Sequence, residues 1–307
     1  MPHLQSLQPL QPIRPLGNTG VTVPLVGYGT APLGKEQISR ARAVRCLNHA
    51  IDAGITYIDT SPDYGSEPHV GAVMQRRRDE VFLATKVNKR SRSGVLEELQ
   101  QSLQRLQTDH VDLIQIHAVN TWADLEQALA PDGAVAGLEE AREQGMARHI
   151  GITGHARPEL LAQALDRYPF DTVLVALGMA DRLVSSPETT VLPIAARKGV
   201  GVIAMKTLGH GCFRSRDLAL RYALGQQEVS LAIVGMDSPT QIDEIVDIAS
   251  DFRPLLEDEE DRLVEEVRPL ILQDSDESKK GESRLFWLHD TSVTGWREKN
   301  GPALVDY

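Results

Sequence analysis

The sequence predicts a (β/α)8 barrel, a TIM-barrel fold with an N-terminal β-hairpin plug and a C-terminal extension. Two observations carry this. Eight short runs rich in β-branched and apolar residues recur along the chain, and helical periodicity separates them. Polar and titratable residues also collect at the ends of successive runs, the end at which a barrel of parallel strands builds its active site.

The strand runs are Leu25 to Thr30, Thr56 to Ser61, Val81 to Val87, Val111 to Ala118, His149 to Thr153, Thr172 to Gly178, Val200 to Lys206 and Leu231 to Met236. Helical stretches between and after them include Ala41 to Ala53, Val95 to Gln107, Gly137 to Glu143, Glu159 to Tyr168, Val191 to Lys198, Asp217 to Leu224 and Pro239 to Ser250. Gly54, Gly145, Gly199 and Gly225 each stand where a helix should close just before a strand, a position that favours a left-handed residue. Alternation alone fits either an open doubly wound sheet or a closed barrel. A dinucleotide-binding sheet would carry GxGxxG after its first strand, whereas Gly27-Tyr28-Gly29 is followed by Pro32 where the third glycine belongs. The barrel is therefore preferred. It is expected to span residues 1–272, with the hairpin in residues 1–24, and residues 273–307 form the extension. The polar stretch from Gln273 to Ser283 leads into Phe286, Trp287 and Trp296, aromatics suited either to covering the barrel mouth or to packing on its wall.

Composition narrows the function. Of 307 residues, 41 % are hydrophobic and 24 % charged, ordinary values for a globular enzyme. With 43 acidic and 32 basic side chains the formal net charge is −11, a field that repels nucleic acid and anionic membrane. The two cysteines, Cys46 and Cys212, form no CxxC, and no signal-peptide pattern or membrane-length apolar run is present, so a cytoplasmic location is expected. His110, His149, His155 and His210 lack partners at ligand spacing, so no metal site is expected. The acidic run Glu257 to Asp261 reads as a solvated helix start.

Four strand-end residues point to proton-transfer chemistry. The second strand ends at Asp59 and its loop carries Tyr64; Lys86 lies on the third strand and His117 on the fourth. A tyrosine titrates near pKa ~10, too high for efficient proton exchange at neutral pH, and a nearby ammonium favours its phenolate. Lys86 can supply that charge, Asp59 can hold Lys86 in place, and His117 can orient a carbonyl. A Schiff-base role for Lys86 is the competing chemistry for a strand-end lysine.

The block Gly54-Ile55-Thr56-Tyr57-Ile58-Asp59-Thr60-Ser61-Pro62-Asp63-Tyr64-Gly65-Ser66-Glu67, followed by Lys86 and His117, resembles the aldo-keto reductase superfamily. The turn Leu16-Gly17-Asn18-Thr19-Gly20 is similar to that family's plug hairpin, and the resemblance runs to about residue 250. It implies NADPH-dependent reduction of an aldehyde or ketone without a metal, with Tyr64 as the general acid. It further implies cofactor contacts from Gly29 and Thr30, Asp59, Thr153 and Gly154, Met205, Lys206, Leu208 and Gly209, and from Gly235, Met236, Ser238, Gln241 and Glu244. Several positions depart from the family pattern. Thr153-Gly154 stands for Ser-Asn, Leu174 to Leu177 lacks the usual glutamine, and Met205 replaces an aromatic. NADP is the expected cofactor, and NAD is the alternative because Gly235 and Gln241 occupy places where cations often meet the 2′-phosphate. A nucleotide-binding sensor with little turnover is the second function the resemblance allows.

Overall fold

The computed structural model describes residues 11–155, 157–274 and Leu285. The proposed extension falls almost wholly outside these residues, and with it Phe286, Trp287 and Trp296. A hairpin of β1 (Ile13–Pro15) and β2 (Thr22–Pro24) precedes eight parallel strands: β3 (Val26–Gly29), β4 (Tyr57–Asp59), β5 (Phe82–Val87), β6 (Val111–Ile116), β7 (Ala147–Gly154), β8 (Thr172–Ala176), β9 (Gly201–Met205) and β10 (Val229–Gly235). They close in sequence order, β10 pairing back onto β3. Each predicted strand run coincides with one barrel strand.

Around the barrel lie α1 (Arg40–Asp52), α2 (Glu67–Arg77), α3 (Arg92–Leu106), α4 (Trp122–Ala128), α5 (Ala134–Glu143), α6 (Pro158–Arg167), α7 (Met179–Val184), α8 (Pro187–Thr190), α9 (Leu192–Lys198), α10 (Arg216–Gly225), α11 (Pro239–Ser250) and α12 (Glu257–Asp274). Sequence periodicity locates α1, α3, α5, α6, α9, α10 and α11, and misses α2, α4, α7, α8 and the length of α12. Gly54, Gly145 and Gly199 adopt the left-handed backbone expected after a helix. Gly225 does not: it is the last residue of α10, which passes to an extended Gln226. The acidic run that opens α12 is also less solvated than expected, because Glu259 is buried between the guanidinium groups of Arg221 and Arg253.

Side chains alternate along each strand, so one set fills the barrel and the other meets the helices. Tyr57, Ala84, Leu113, Leu174, Ile203, Met205 and Leu231 form the inner core, sealed at the strand N-termini by Leu16 and Val23 of the hairpin. The hairpin is pinned where Asn18 N–H donates to Gly199 O at 2.8 Å. A second cluster joins Ala176, Met179, Phe213, Leu218 and Tyr222 to Leu263 and Val267 of α12, and Leu285 is buried with them. Among the described residues, no helix is long and apolar enough to cross a membrane.

Leu16 is fully buried at the end of the barrel opposite the catalytic strand ends. Leu16→Ala should therefore lower unfolding free energy by about 2–5 kcal/mol while leaving turnover per folded molecule unchanged. Denaturant titration beside steady-state kinetics checks both, and a loss of activity at unchanged stability would contradict the plug assignment.

Candidate active site

Register brings the predicted residues together. Asp59, the last residue of β4, pairs with Ala84 on β5, and Lys86 lies two residues further along the same face, opposite Gln115 on β6. Asp59 and Lys86 are each about 1 % exposed. The Lys86 ammonium donates to Asp59 Oδ1, and also to Thr60 O at 2.9 Å. The other Asp59 oxygen accepts from Gln115 Nε2 at 3.1 Å. A charge pair this deep is tolerable only when most of its other donors and acceptors are satisfied, and these hydrogen bonds engage both Asp59 oxygens and two of the three ammonium N–H groups. A lysine so bound is an ion-paired ammonium, a poor starting point for Schiff-base chemistry.

Tyr64 sits in a short 3₁₀ turn, Pro62–Tyr64, that follows β4. Lys86 Nζ lies 4.7 Å from the centre of its ring, which places a fixed cation against the phenol. The His117 ring meets Tyr64 edge-on at 5.9 Å between centroids. His117 Nδ1 faces two acceptors, Asn88 Oδ1 at 2.9 Å and Asp63 Oδ1 at 3.5 Å, so the proton on that nitrogen is fixed. His117 Nε2 is buried and has no hydrogen-bond partner in the protein. That nitrogen can donate to a carbonyl oxygen as imidazolium, or accept from an alcohol as the neutral ring. The structure thus unites Tyr64, Asp59, Lys86 and His117 in one site.

Neighbours that sequence reasoning misses hold these four in place. Glu67, buried at the start of α2, accepts from Thr85 Oγ1 at 2.8 Å and pairs with Arg105 Nε at 2.6 Å, tying the tyrosine loop to β5 and α3. Gln115 is signalled only by being a polar residue at an inward strand position, and Asn88 only by standing two residues after Lys86. Gly34 has no sequence signal. A Cβ there would lie 1.7 Å from the Tyr64 carbonyl oxygen, because the turn Ala31–Gly34 packs directly on the tyrosine turn.

The predicted cofactor residues divide into two groups. Lys206, Leu208, Gly235, Met236, Gln241 and Glu244 line one groove of about 310 Å³ beside the mouth. Lys35, Arg216 and His210, which sequence reasoning does not assign to the cofactor, stand on the same walls, as does Asp237. Lys35, Lys206 and Arg216 there suit the phosphates of an anionic nucleotide. Arg216 pairs with Glu244 at 2.7 Å, and Lys206 Nζ meets His210 Nε2 at 3.0 Å. Gln241 and Ser238 are occupied at the start of α11: Ser238 Oγ accepts from Gln241 N–H, and Gln241 Oε1 accepts from Asp237 N–H at 2.8 Å. Gly209 is buried in the loop after β9.

The remaining candidates lie outside that groove. Thr30 Oγ1 meets Ser66 Oγ at 2.8 Å, in a hydroxyl chain that continues to Thr60. Thr153 Oγ1 accepts from Ala118 N–H at 2.7 Å, steadying a left-handed turn directly after His117. Gly29 and Gly154 end β3 and β7, and Met205 ends β9 within the inner core. His155 bridges groove and catalytic cluster: its ring lies 6.4 Å from that of His117. Burial, with the nearby charges of Lys206, His117 and Lys86, holds His155 well below the ordinary histidine range. His210 is lowered likewise, by burial first and then Lys206. Among the described residues, no group of three or more His, Cys, Asp or Glu side chains is placed to hold a metal ion.

Residues 25–218 match the pattern of the Aldo/keto reductase family. The chain is an aldo/keto reductase. It is 31 % identical over 290 residues to L-galactose dehydrogenase of Arabidopsis thaliana, covering 80 % of this chain and 90 % of that protein. It is 30 % identical over 245 residues to D-threo-aldose 1-dehydrogenase of a Pseudomonas species, covering 67 % and 73 % respectively. In fold it matches the holo form of an aldo-keto reductase from Bacillus halodurans, with a TM-score of 0.72, 24 % identity, and coverage of 83 % of this chain and 96 % of that one. Family membership fits the closed barrel and makes the chain an oxidoreductase.

The packing at Gly34 makes a sharp demand on this reductase. Gly34→Ala must push the Tyr64 turn aside, and kcat should fall on the order of 10²-fold with the circular dichroism spectrum retained. Unchanged kcat would show that the tyrosine turn does not depend on that contact.

Proposed function

We propose that this chain is a nicotinamide-dependent oxidoreductase that reduces the carbonyl of a small aldehyde or ketone to an alcohol, with Tyr64 as general acid. The observation that carries the proposal is the buried, unpartnered Nε2 of His117, beside the Tyr64 ring and the Lys86–Asp59 pair. When bound, a nicotinamide cofactor would supply a hydride to the carbonyl carbon. His117 Nε2–H orients the carbonyl oxygen, and Tyr64 delivers its proton to that oxygen as negative charge develops there. Lys86 then faces a phenolate, and Asp59 keeps the ammonium aimed at it. Run in reverse, the same groups take the proton from an alcohol, so a dehydrogenase direction needs no further residue.

NADP(H) is the proposed cofactor, with its phosphates toward Lys35, Lys206 and Arg216; Glu244 and Asp237 on the same groove favour NAD(H) as the competitor. Thr153 and Gly154 are proposed at the nicotinamide end, with Gly29 and Thr30 near it. The named activities of the two dehydrogenase relatives support a sugar-sized, polyhydroxylated substrate. The acidic net charge, with Cys46 and Cys212 as thiols, fits a cytoplasmic enzyme working without nucleic acid or membrane.

Fluorescence titration with NADPH and NADH, followed by assays on aldoses and simple aldehydes, tests the proposal. Tyr64→Phe should lower turnover by about 10²- to 10⁴-fold and leave the nucleotide Kd unchanged. The proposal fails if neither nucleotide binds, or if the phenylalanine variant turns over like the wild type.

A further inference from the structure

The loop between β9 and α10 supplies much of the groove wall, namely Lys206, Leu208, His210 and Gly211, and Arg216 follows at the first turn of α10. Its backbone is held away from ordinary conformations. Lys206 and His210 adopt positive φ angles of 64° and 55°, and Gly209 and Gly211 do so at 55° and 78°. A non-glycine residue in this region is strained and persists only when its surroundings hold it. Phe213, 1 % exposed, anchors one point of the loop in the cluster with Leu263 and Val267 of α12.

The second anchor is a side chain from α12 itself. Ser215 precedes α10 but makes no side-chain cap of its own. The Glu266 carboxylate instead holds the two residues that lead into the helix: Oε1 accepts from Arg214 N–H and from Ser215 N–H at 3.3 Å, and Oε2 accepts from Ser215 Oγ–H at 2.7 Å. It thus fixes the end of the loop against α12 and puts negative charge beside the N-terminus of α10, where the helix dipole favours it. Seven residues earlier on the same face of α12, Glu259 grips Arg221 in the middle of α10. The two helices are therefore fastened at two points, and the strained groove loop enters directly at the Glu266 contact.

We infer that Glu266 is a positioning residue through which the C-terminal helix sets nucleotide affinity: by holding Arg214 and Ser215 at the entrance to α10 it keeps the strained loop in its groove-forming conformation. The inference rests on the proposed nucleotide groove. Glu266 does not line the groove, so its loss lowers the fraction of molecules with a formed groove, which raises the apparent Kd by that factor without altering the chemical step.

The test uses the full chain with NADPH and NADH as probes. Glu266→Ala should raise the nucleotide Kd about fivefold, on the scale of the hydrogen bonds lost, and kcat at saturating nucleotide should not fall. Glu266→Gln, which keeps an acceptor oxygen for the backbone donors, should stay within about twofold of the wild type. If Glu266→Ala does not fold, Ser215→Ala removes only the hydroxyl contact and carries the same comparison. Wild-type binding matched by the alanine variant overturns the inference alone, as does a fall in kcat at unchanged Kd. A wild type that binds neither nucleotide overturns the groove assignment and this inference together.

Discussion

A lysine and an aspartate stand at the centre of this barrel with almost no contact with water. Two charges so placed lose several kcal/mol of hydration each, and their attraction offsets this only when geometry and auxiliary hydrogen bonds are good. Thr60 O and Gln115 Nε2 complete the set on either side of Lys86 and Asp59. An apolar pair would fill the same space at lower risk, so what the ion pair adds is a positive charge of fixed position beneath a tyrosine. Much of the local architecture serves that end: the register of β4 against β5, the Glu67 anchor on the tyrosine loop, and the close packing of Gly34 against the Tyr64 turn.

Farther out, the molecule separates rigid chemistry from an adjustable rim. Tyr64, Asp59, Lys86 and His117 are all buried and lie at strand ends or in a turn packed on another turn. The groove, by contrast, is walled partly by a loop whose backbone holds four left-handed residues between positions 206 and 211. Such a loop has few preferred shapes of its own and takes its conformation from its anchors, Phe213 and the Glu266 hydrogen bonds to Arg214 and Ser215. His155 beside the catalytic cluster and His210 on the groove wall are both held below the ordinary histidine range, which keeps added positive charge away from Lys86 and Lys206.

The strands are legible in the sequence because each is a short apolar, β-branched run that sterics and burial both favour. Asp59, Lys86 and His117 are legible because polar residues at the ends of such runs have no packing reason to be there. What escapes has its cause elsewhere in the chain. Gly34 matters only through a turn some thirty residues on, and Glu259 looks solvated because Arg221 and Arg253 are its neighbours in space more than in sequence. Helix α2 is hidden because it starts straight out of the catalytic loop with a buried Glu67 in its first turn, so no polar linker announces it. Gly225 suggests a left-handed terminator because glycine marks that position often, while α10 simply runs through it into an extended residue.

On the proposed mechanism, Lys86 acts through Tyr64 rather than beside it. A double-mutant cycle on kcat, comparing wild type, Tyr64→Phe, Lys86→Met and the double variant under conditions where all four are folded, measures this directly. Each single change should cost several orders of magnitude, and the double variant should be little slower than the slower single. Losses that multiply would show that the two side chains work independently, and would contradict the central role of the buried ion pair.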